Sequence, residues 1–353
     1  MCKKILIFGP CAAESAAQMQ AVSSALADVM HEPLAQHFNL VLRAGLWKPR
    51  SSPSSFQGVG VKGLTWLMDA SARVGCPAAT EVAQPEHLVA ACEAGIRQFW
   101  IGARTTSNPF MVEALANTSI ADKKDITWYV KNPTSPDIEL WCGAILRLQR
   151  AGYNTLRAIH RGFALGEHTT SIYRNAPVWS QAIEFKRRYP EIPLLTDVSH
   201  MVGQAGHVGE VAEQALRMGM EGLMIEVHNH PAEALSDAGQ QITPKELEEL
   251  LVHLAQIGTS SDGDLSSELT ALRQQMDETD DELWALLGKR MDISRRIGEY
   301  KRQHNMPIFQ QTRYSELLER RMKWALEHGI QPEAAKQIMD IIHEQSVLTQ
   351  TKI

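Results

Sequence analysis

The sequence lacks the features that mark a membrane, exported or disulfide-stapled protein. No run of eighteen apolar residues occurs, and no basic, apolar leader follows Met1, so we expect neither a membrane-spanning helix nor an export signal. The cysteines number only five, an odd count, and their spacing fits no zinc ribbon. A disulfide framework is therefore disfavoured and a reducing compartment favoured. We predict a soluble globular protein of the cytoplasm.

An excess of positive charge is also missing. The formal net charge is −6 at pH 7, which provides no basic surface for nucleic acid or for an acidic membrane. We therefore expect small-molecule partners, with no nucleic acid and no membrane among the ligands.

A polar segment divides the chain. Residues 256–268 read QIGTSSDGDLSSE, which is poor in apolar residues and rich in Gly, Ser and Asp, the composition of a linker. We predict one domain over residues 1–255 and a second, of a different fold, over residues 269–353.

The first domain alternates short β-rich runs with helical patterns. Such alternation is typical of a parallel sheet, and eight units in about 250 residues fit a closed (β/α)8 barrel, an α/β fold. An open doubly wound sheet is the alternative, but no glycine-rich dinucleotide motif follows the first run. The eight predicted strands are KILIF, LVLRA, PAATEV, QFWIGA, TWYVK, TLRAIH, PLLTDVS and GLMIEVH.

The second domain shows an apolar seam and no strand pattern. Leu269, Leu272, Met276 and Leu283 fall at spacings typical of a and d positions, and Pro307 is the first helix breaker. One helix of roughly 60 Å is predicted from about residue 265 to residue 304. Because it is too long for a domain of this size, we expect an all-helical, intertwined homodimer with two shorter helices.

Chemistry in such a barrel collects at the C-terminal ends of the strands. A thiol, an imidazole and two carboxylates stand there, a donor set that suits a divalent transition ion, with Zn, Fe, Co and Mn all plausible. These candidate metal ligands are Cys11, His200, Glu226 and Asp237.

Six cations follow the same strand ends. They would repel one another unless they met several negative charges, and the arginine fork suits phosphate and carboxylate oxygens. We therefore expect phosphorylated carboxylates or sugar phosphates as substrates. The cations are Arg43, Lys48, Arg50, Arg104, Lys131 and Arg161.

At these positions the barrel resembles the 3-deoxy-D-arabino-heptulosonate 7-phosphate (DAHP) synthases of the Iβ-like subclass, over residues 3–250. The resemblance implies the metal ligands given above and a condensation of phosphoenolpyruvate with erythrose 4-phosphate. The motifs that carry it are GPCAAES, RAGLWKPRSS, TEV, IGARTTSN, VKNP, IHRGF, DVSHMVGQ and IEVHNHPAEALSD.

The same resemblance implies a division of labour among the barrel residues. Arg43, Lys48 and Lys131 would face the phosphoenolpyruvate carboxylate, and Arg104 with Arg161 would face its phosphate. Arg50 and Ser51 would bind the erythrose phosphate. Lys48 or a metal-bound water would move the protons, and Glu81 either orients the attacking water or balances charge. An octulosonate-type synthase that uses arabinose 5-phosphate is the alternative.

The helical domain resembles the AroQ-type chorismate mutases, through LTALRQQMDETDDELWALLGKRMDISRRIGEYK and IIHEQSVLTQ. Even without the resemblance, Arg290 falls at a d position, where a cation needs an anionic partner. The resemblance implies that Lys301 and Gln350 stabilise the ether oxygen of chorismate as it rearranges to prephenate. It also implies a carboxylate clamp formed by Arg273 of the partner subunit, Arg290, Arg313 and Ser346.

Two positions depart from the mutase pattern, since Gln310 and Tyr314 stand where relatives often carry acids near the substrate hydroxyl. A ligand-sensing helical domain without turnover is therefore the alternative to a mutase. In either case we expect the domain to mediate feedback by prephenate or chorismate, because the first strand begins too near Met1 to leave room for a separate N-terminal regulatory domain.

Overall fold

A computed structural model describes residues 3–30, 36–48, 54–164, 172–255, 257 and 267–352. The chain divides into two compact units, Met1–Ser261 and Asp262–Ile353. Most of the predicted linker, residues 256–268, lies outside the described residues, and the first helix of the second unit begins at Ser267.

Eight parallel strands close into a barrel in the first unit, each pairing with its neighbours in chain order and β1 pairing with β8. This confirms the predicted fold. The strands are β1 Lys4–Gly9, β2 Phe38–Arg43, β3 Ala78–Glu81, β4 Gln98–Ile101, β5 Thr127–Lys131, β6 Thr155–His160, β7 Leu194–Asp197 and β8 Gly222–Glu226.

Helices cover the outside of the barrel or carry residues at its rim. Pro, Ser, Thr, Asn or Asp begins several of them, as expected for helix N-termini. The helices are α1 Ala16–Val29, α2 Lys62–Val74, α3 Pro85–Glu93, α4 Ala103–Thr106, α5 Pro109–Ala116, α6 Ile138–Arg150, α7 Trp179–Arg188, α8 Val198–Val202, α9 Val208–Arg217 and α10 Pro244–Leu254.

The strand alternation separates two apolar layers. Ile7, Val41, Trp100 and Met224 belong to a small cluster formed by one face of the strands, whereas Leu6, Phe8 and many other buried residues form a larger cluster with the helices. Successive strand residues point to opposite faces, so both faces are apolar and the strands read as continuous hydrophobic runs.

One glycine shapes the start of the site. Gly9, the last residue of β1, has a positive φ of 133°, and a Cβ there would lie 2.3 Å from the carbonyl oxygen of Arg43. Only glycine allows β1 to end so close to β2. This approach places Cys11 beside the end of β2.

Three helices form the second unit: α11 Ser267–Gln303, α12 Gln311–Glu327 and α13 Pro332–Thr351. The predicted long helix is therefore present, with 37 residues. Within the single chain its seam stays exposed at Leu272, Met276 and Leu283. In the part of the chain that the structure describes, no helix combines the length and the apolar character needed to cross a membrane.

Candidate active site

A buried ion pair lies at the floor of the barrel mouth. The Arg43 guanidinium is 3.1 Å from Glu226 Oε1, and both side chains are almost fully buried. Arg43 also donates to the carbonyl oxygen of Cys11, and Gln240 Nε2 donates to Glu226 Oε2 at 2.7 Å. Removing either charge would leave the other buried and unpaired, which is strongly destabilising. The carboxylate is therefore held in one place from both sides.

Cys11 lies next to this pair. Its sulfur is 2.6 Å from Lys48 Nζ and 3.3 Å from Asp237 Oδ2, and its backbone N–H donates to Gln241 Oε1. Burial and the negative charge of Glu226 raise the pKa of the thiol to about 12, although Lys48 opposes this. A cation among these groups would favour the thiolate, which is the form that binds metals.

His200 contacts Asp197, the last residue of β7. Its Nδ1 lies 2.9 Å from Asp197 Oδ2, and Lys131 Nζ lies 2.6 Å from the same oxygen. Burial would raise the pKa of Asp197, but its contacts with His200 and Lys131 hold it well below its usual value. Burial lowers the pKa of His200. A neutral imidazole that donates from Nδ1 to a carboxylate keeps its lone pair on Nε2, as metal-binding histidines do.

The four candidate ligands are neighbours rather than a closed coordination sphere. Cys11 contacts Asp237, and His200 Nδ1 lies 3.7 Å from Glu226 Oε1. Among the described residues, no three His, Cys, Asp or Glu side chains converge in metal-binding geometry. Two of the four candidates instead contact cations, Cys11 the ammonium of Lys48 and Glu226 the guanidinium of Arg43. The donor set of one sulfur, one nitrogen and two carboxylates nevertheless fits a borderline divalent ion.

Above this floor opens a cavity of about 340 Å³ with a strongly cationic wall. Burial lowers the pKa of Arg161 to about 10, and Arg174 and Arg104 contribute to that decrease. Such mutual repulsion is relieved when an anion binds between the cations. The predicted site residues that line the cavity are Lys48, Glu81, Arg104, Lys131, Arg161, His200 and Asp237.

Glu81 ends β3 at the same cavity. A Cβ added to Gly102 would lie 2.1 Å from Glu81 Oε1, so the carboxylate occupies the space that a side chain after β4 would need. The predicted Arg50 and Ser51 lie outside the described residues.

Several residues that sequence reasoning missed hold the predicted ones. Arg174 Nη1 lies 3.2 Å from Asp237 Oδ1 and donates to Gln240, while Asn175 Nδ2 donates to the carbonyl oxygen of His200. Gly203 leaves space for the stem of Arg174, because a Cβ there would lie 2.7 Å from the Arg174 side chain. Asp197, which contacts His200 and Lys131, was also missed, and among these residues it alone had a sequence signal, because it lies at the end of a predicted strand.

A second cationic site lies in the helical unit. Arg290 on α11 donates to the hydroxyl of Ser346 and to the carbonyl oxygen of Ile342, both on α13. Lys301, which is 9% exposed, donates to the carbonyl oxygen of Ile308 at 2.6 Å. Gln350 Oε1 is buried and has no hydrogen-bond partner among the described residues. These contacts bring Arg290 and Ser346 together.

The other two predicted cations of this unit lie on its surface. Arg273 is exposed on the first half of α11, and Arg313 is 3.6 Å from Glu316 on an exposed face of α12. The single chain therefore does not bring them into contact with Arg290.

Two protein families match the chain. Residues 2–262 match the DAHP synthetase I family, and residues 272–351 match the chorismate mutase type II family. The two matched ranges correspond closely to the two compact units, and only nine residues between the ranges are unmatched.

Individual relatives support both halves. A phospho-2-dehydro-3-deoxyheptonate aldolase of Thermotoga maritima is 29% identical over 253 residues, 71% of this chain and 69% of the relative. A 2-dehydro-3-deoxyphosphooctonate aldolase of Koribacter versatilis is 26% identical over 72% of this chain and 91% of the relative. A 4-amino-4-deoxychorismate mutase of Streptomyces pristinaespiralis is 38% identical over 74 residues, 21% of this chain and 57% of the relative.

A solved structure agrees with the barrel. The crystal structure of the DAHP synthase of Thermotoga maritima superposes with a TM-score of 0.60 at 25% identity, covering 71% of this chain and 68% of that one.

Proposed function

As a member of the DAHP synthetase I family that also carries a chorismate mutase domain, the chain is a bifunctional shikimate-pathway enzyme, and we propose how each half works. The barrel condenses phosphoenolpyruvate with erythrose 4-phosphate at the cationic cavity, and the helical unit rearranges chorismate to prephenate. The observation that carries the first proposal is a cationic cavity whose floor carries the four candidate metal ligands.

The family is generally metal-dependent, and Cys11, His200, Glu226 and Asp237 would hold the ion here. A divalent ion, whether Mn, Fe, Co or Zn, supplies Lewis acidity toward the aldehyde oxygen. The residues around it fix the ligands: Gln240 and Arg43 orient Glu226, and Asp197 orients His200.

Phosphoenolpyruvate would lie between the cavity wall and this floor. Lys48 and Lys131 face its carboxylate, and Arg104 with Arg161 bind its phosphate. Arg43 lies beneath the cavity against Glu226 and Cys11. Its proposed contact with the carboxylate is therefore combined with a role in fixing two metal ligands.

In the condensation, C3 of phosphoenolpyruvate attacks the aldehyde carbon, water adds at C2 and phosphate leaves. Lys48 would transfer a proton near Cys11, and Glu81 would orient the water or balance the arginines. Both side chains line the cavity, which supports these proposed roles.

Erythrose 4-phosphate is the proposed aldehyde, with Arg50 and Ser51 on its phosphate. The Koribacter relative is named for an octulosonate product, so arabinose 5-phosphate is the competing substrate. Purified protein offered each aldehyde with phosphoenolpyruvate tests this choice. Consumption only with erythrose 4-phosphate supports the proposal, and faster consumption with arabinose 5-phosphate rejects it.

The helical unit would act on chorismate, a dianion whose rearrangement needs no nucleophile and no proton transfer. Arg290 with Ser346 binds a carboxylate, Arg313 and Arg273 of the partner subunit complete the clamp, and Lys301 and Gln350 stabilise the ether oxygen. The near-complete burial of Lys301 supports this, since a buried cation acts strongly on a nearby developing charge.

A homodimer through the helical unit follows from the same proposal. Large apolar side chains remain exposed along α11, among them Leu272, Met276, Trp284 and Leu286. Exposed apolar surface of this extent is typical of an interface. We also propose that the unit is the feedback sensor of the barrel, with prephenate or chorismate as effector. A sensor without mutase turnover is the alternative, and a chorismate assay separates the two.

A further inference from the structure

An aromatic cluster joins α12 and α13 in the helical unit. The ring of Tyr314 stacks on the imidazole of His343, with centroids 4.0 Å apart and planes at 26°. The ring of Phe309 approaches the same imidazole at 6.0 Å, edge to face. The hydroxyl of Tyr314 donates to the carboxylate of Asp340, one turn before His343 on α13. The imidazole is thus held by two rings, one of which is itself anchored.

His343 lies between the two cations of the proposed mutase site. The residue before it, Ile342, accepts from Arg290 through its carbonyl oxygen, and Ser346, one turn later, accepts from the same guanidinium. On the other side, Lys301 donates to the carbonyl oxygen of Ile308, the neighbour of Phe309. The segments on either side of the imidazole therefore contact the two cations, and the charges of both cations act on His343 itself.

One nitrogen of this imidazole is unused. His343 Nε2 is buried and has no hydrogen-bond partner among the described residues. Burial lowers the pKa of His343, and the charges of Arg290 and Lys301 lower it further, against a smaller opposite effect of Asp340. The imidazole is therefore neutral at pH 7. A buried polar nitrogen without a partner costs free energy, unless a ligand satisfies it.

Chorismate has one polar group that the cations do not serve. Its two carboxylates and its ether oxygen carry or develop negative charge and suit Arg290 and Lys301, whereas its ring hydroxyl is neutral. A neutral imidazole is a good partner for a hydroxyl, since one ring nitrogen accepts and the other donates. The Tyr314 hydroxyl is already engaged by Asp340 and serves to fix the ring.

We propose that His343 is a substrate-binding, specificity-determining residue of the mutase site, whose Nε2 forms a hydrogen bond with the ring hydroxyl of chorismate, and that Tyr314 and Asp340 position its imidazole. This inference rests on the proposed mutase function. It assigns a partner to the substrate hydroxyl in a chain where Gln310 and Tyr314 stand at the positions of the acids that relatives often carry near that hydroxyl.

The test compares chorismate with an analogue in which hydrogen replaces the ring hydroxyl, using the full chain. His343→Leu removes the hydrogen bond and keeps the bulk, His343→Asn keeps a polar group, and His328→Ala is the matched control. His328 also stacks on an aromatic ring, that of Trp324, but it is exposed.

For chorismate, H343L should raise KM about tenfold, the loss of one good hydrogen bond, with kcat changed less than about threefold. The reason is that the hydroxyl takes no part in the bond changes, so the contact is equally strong in the ground and transition states. For the deoxy analogue, H343L and the unmodified chain should agree within about twofold. H343N should recover part of the loss, and H328A should behave as the unmodified chain.

Equal losses on both substrates would show that His343 acts only through the fold and would overturn the proposal, as would an unchanged KM for chorismate in H343L. If the unmodified chain does not turn chorismate over, the mutase proposal fails. Calorimetric binding of chorismate to the same variants then decides the role of His343 by the same comparison.

Discussion

The ammonium nitrogen of Lys48 lies 2.6 Å from the sulfur of Cys11. Lys48 lines the cationic cavity, whereas Cys11 is fully buried beneath it and also contacts Asp237. This pair links the proposed substrate cavity to the proposed metal ligands. A change at either residue should therefore affect metal binding and the condensation together.

Chelation should abolish the condensation and leave the mutase reaction intact, because all four proposed ligands lie in the barrel and a pericyclic rearrangement needs no Lewis acid. Cys11→Ala should reproduce this split. Metal content by atomic spectroscopy and both steady-state rates provide the measurement, with the buried Cys76→Ala as control. A C11A protein with full metal content and full condensation rate would show that the ligand assignment is wrong.

Gln240→Ala should weaken metal binding by about 10- to 100-fold, the usual cost of losing a partner that orients a ligand. The reason is that Gln240 Nε2 holds the Oε2 oxygen of Glu226 while its carbonyl oxygen accepts from Arg174. Competition with a chromogenic chelator measures the affinity, and the exposed Gln149→Ala is the control. Equal affinities in both variants would contradict the proposed role.

Lys301→Ala should lower kcat of the mutase by about a hundredfold or more, in line with the deletion of a group that stabilises a developing oxyanion. The condensation should keep its normal constants, because Lys301 belongs to the helical unit. Loss of chorismate absorbance follows the reaction, and the exposed Lys323→Ala serves for comparison. An unchanged kcat would favour the sensor without turnover.

Prephenate should inhibit the condensation in the full chain, and Arg290→Ala should abolish that inhibition without lowering the uninhibited rate. Arg290 is the proposed carboxylate anchor, so its loss prevents effector binding in the helical unit. Binding linkage is reciprocal, and phosphoenolpyruvate should shift the affinity for prephenate in turn. Cutting the chain near Gly258 should likewise remove the response. Inhibition that persists in R290A and in the cut chain would reject the sensor.

The barrel should lose stability as the pH falls from about 6.5 to about 4. His160 ends β6 among Trp141, Phe163 and Trp179, and burial lowers its pKa to about 4. Below pH 6.5 the imidazole therefore binds a proton in the unfolded chain but stays neutral in the native protein. This difference lowers the free energy of unfolding by up to about 3 kcal/mol. Urea unfolding at pH 7 and pH 4.5 measures this loss. His160→Phe should reduce the difference between the two pH values, and an undiminished difference would exclude His160 as its source.

The sequence alone determined the architecture. Eight β-rich runs alternating with helical patterns predicted the barrel, because a parallel strand buried on both faces reads as an apolar run. The seam from Leu269 onward predicted one long helix, since its spacing follows the helical period. Both expectations are confirmed, and so is the resemblance of each half to its family. The candidate site residues of the barrel stood out because side chains at the ends of parallel strands must meet at one rim.

Only the tertiary structure decided which side chains hold the site together. Gln240, Gln241 and Arg174 lie in the segments that follow β8 and β6, where no periodicity distinguishes a buried amide from an exposed one. Their contacts with Glu226, Cys11 and Asp237 join residues that are far apart in the chain. No sequence pattern indicated His343 either, because its proposed role depends on its ring contacts with Tyr314 and Phe309 and on an unpaired nitrogen. A periodic pattern is a local property that the sequence displays, whereas hydrogen-bond partners distant in the chain are chosen by packing.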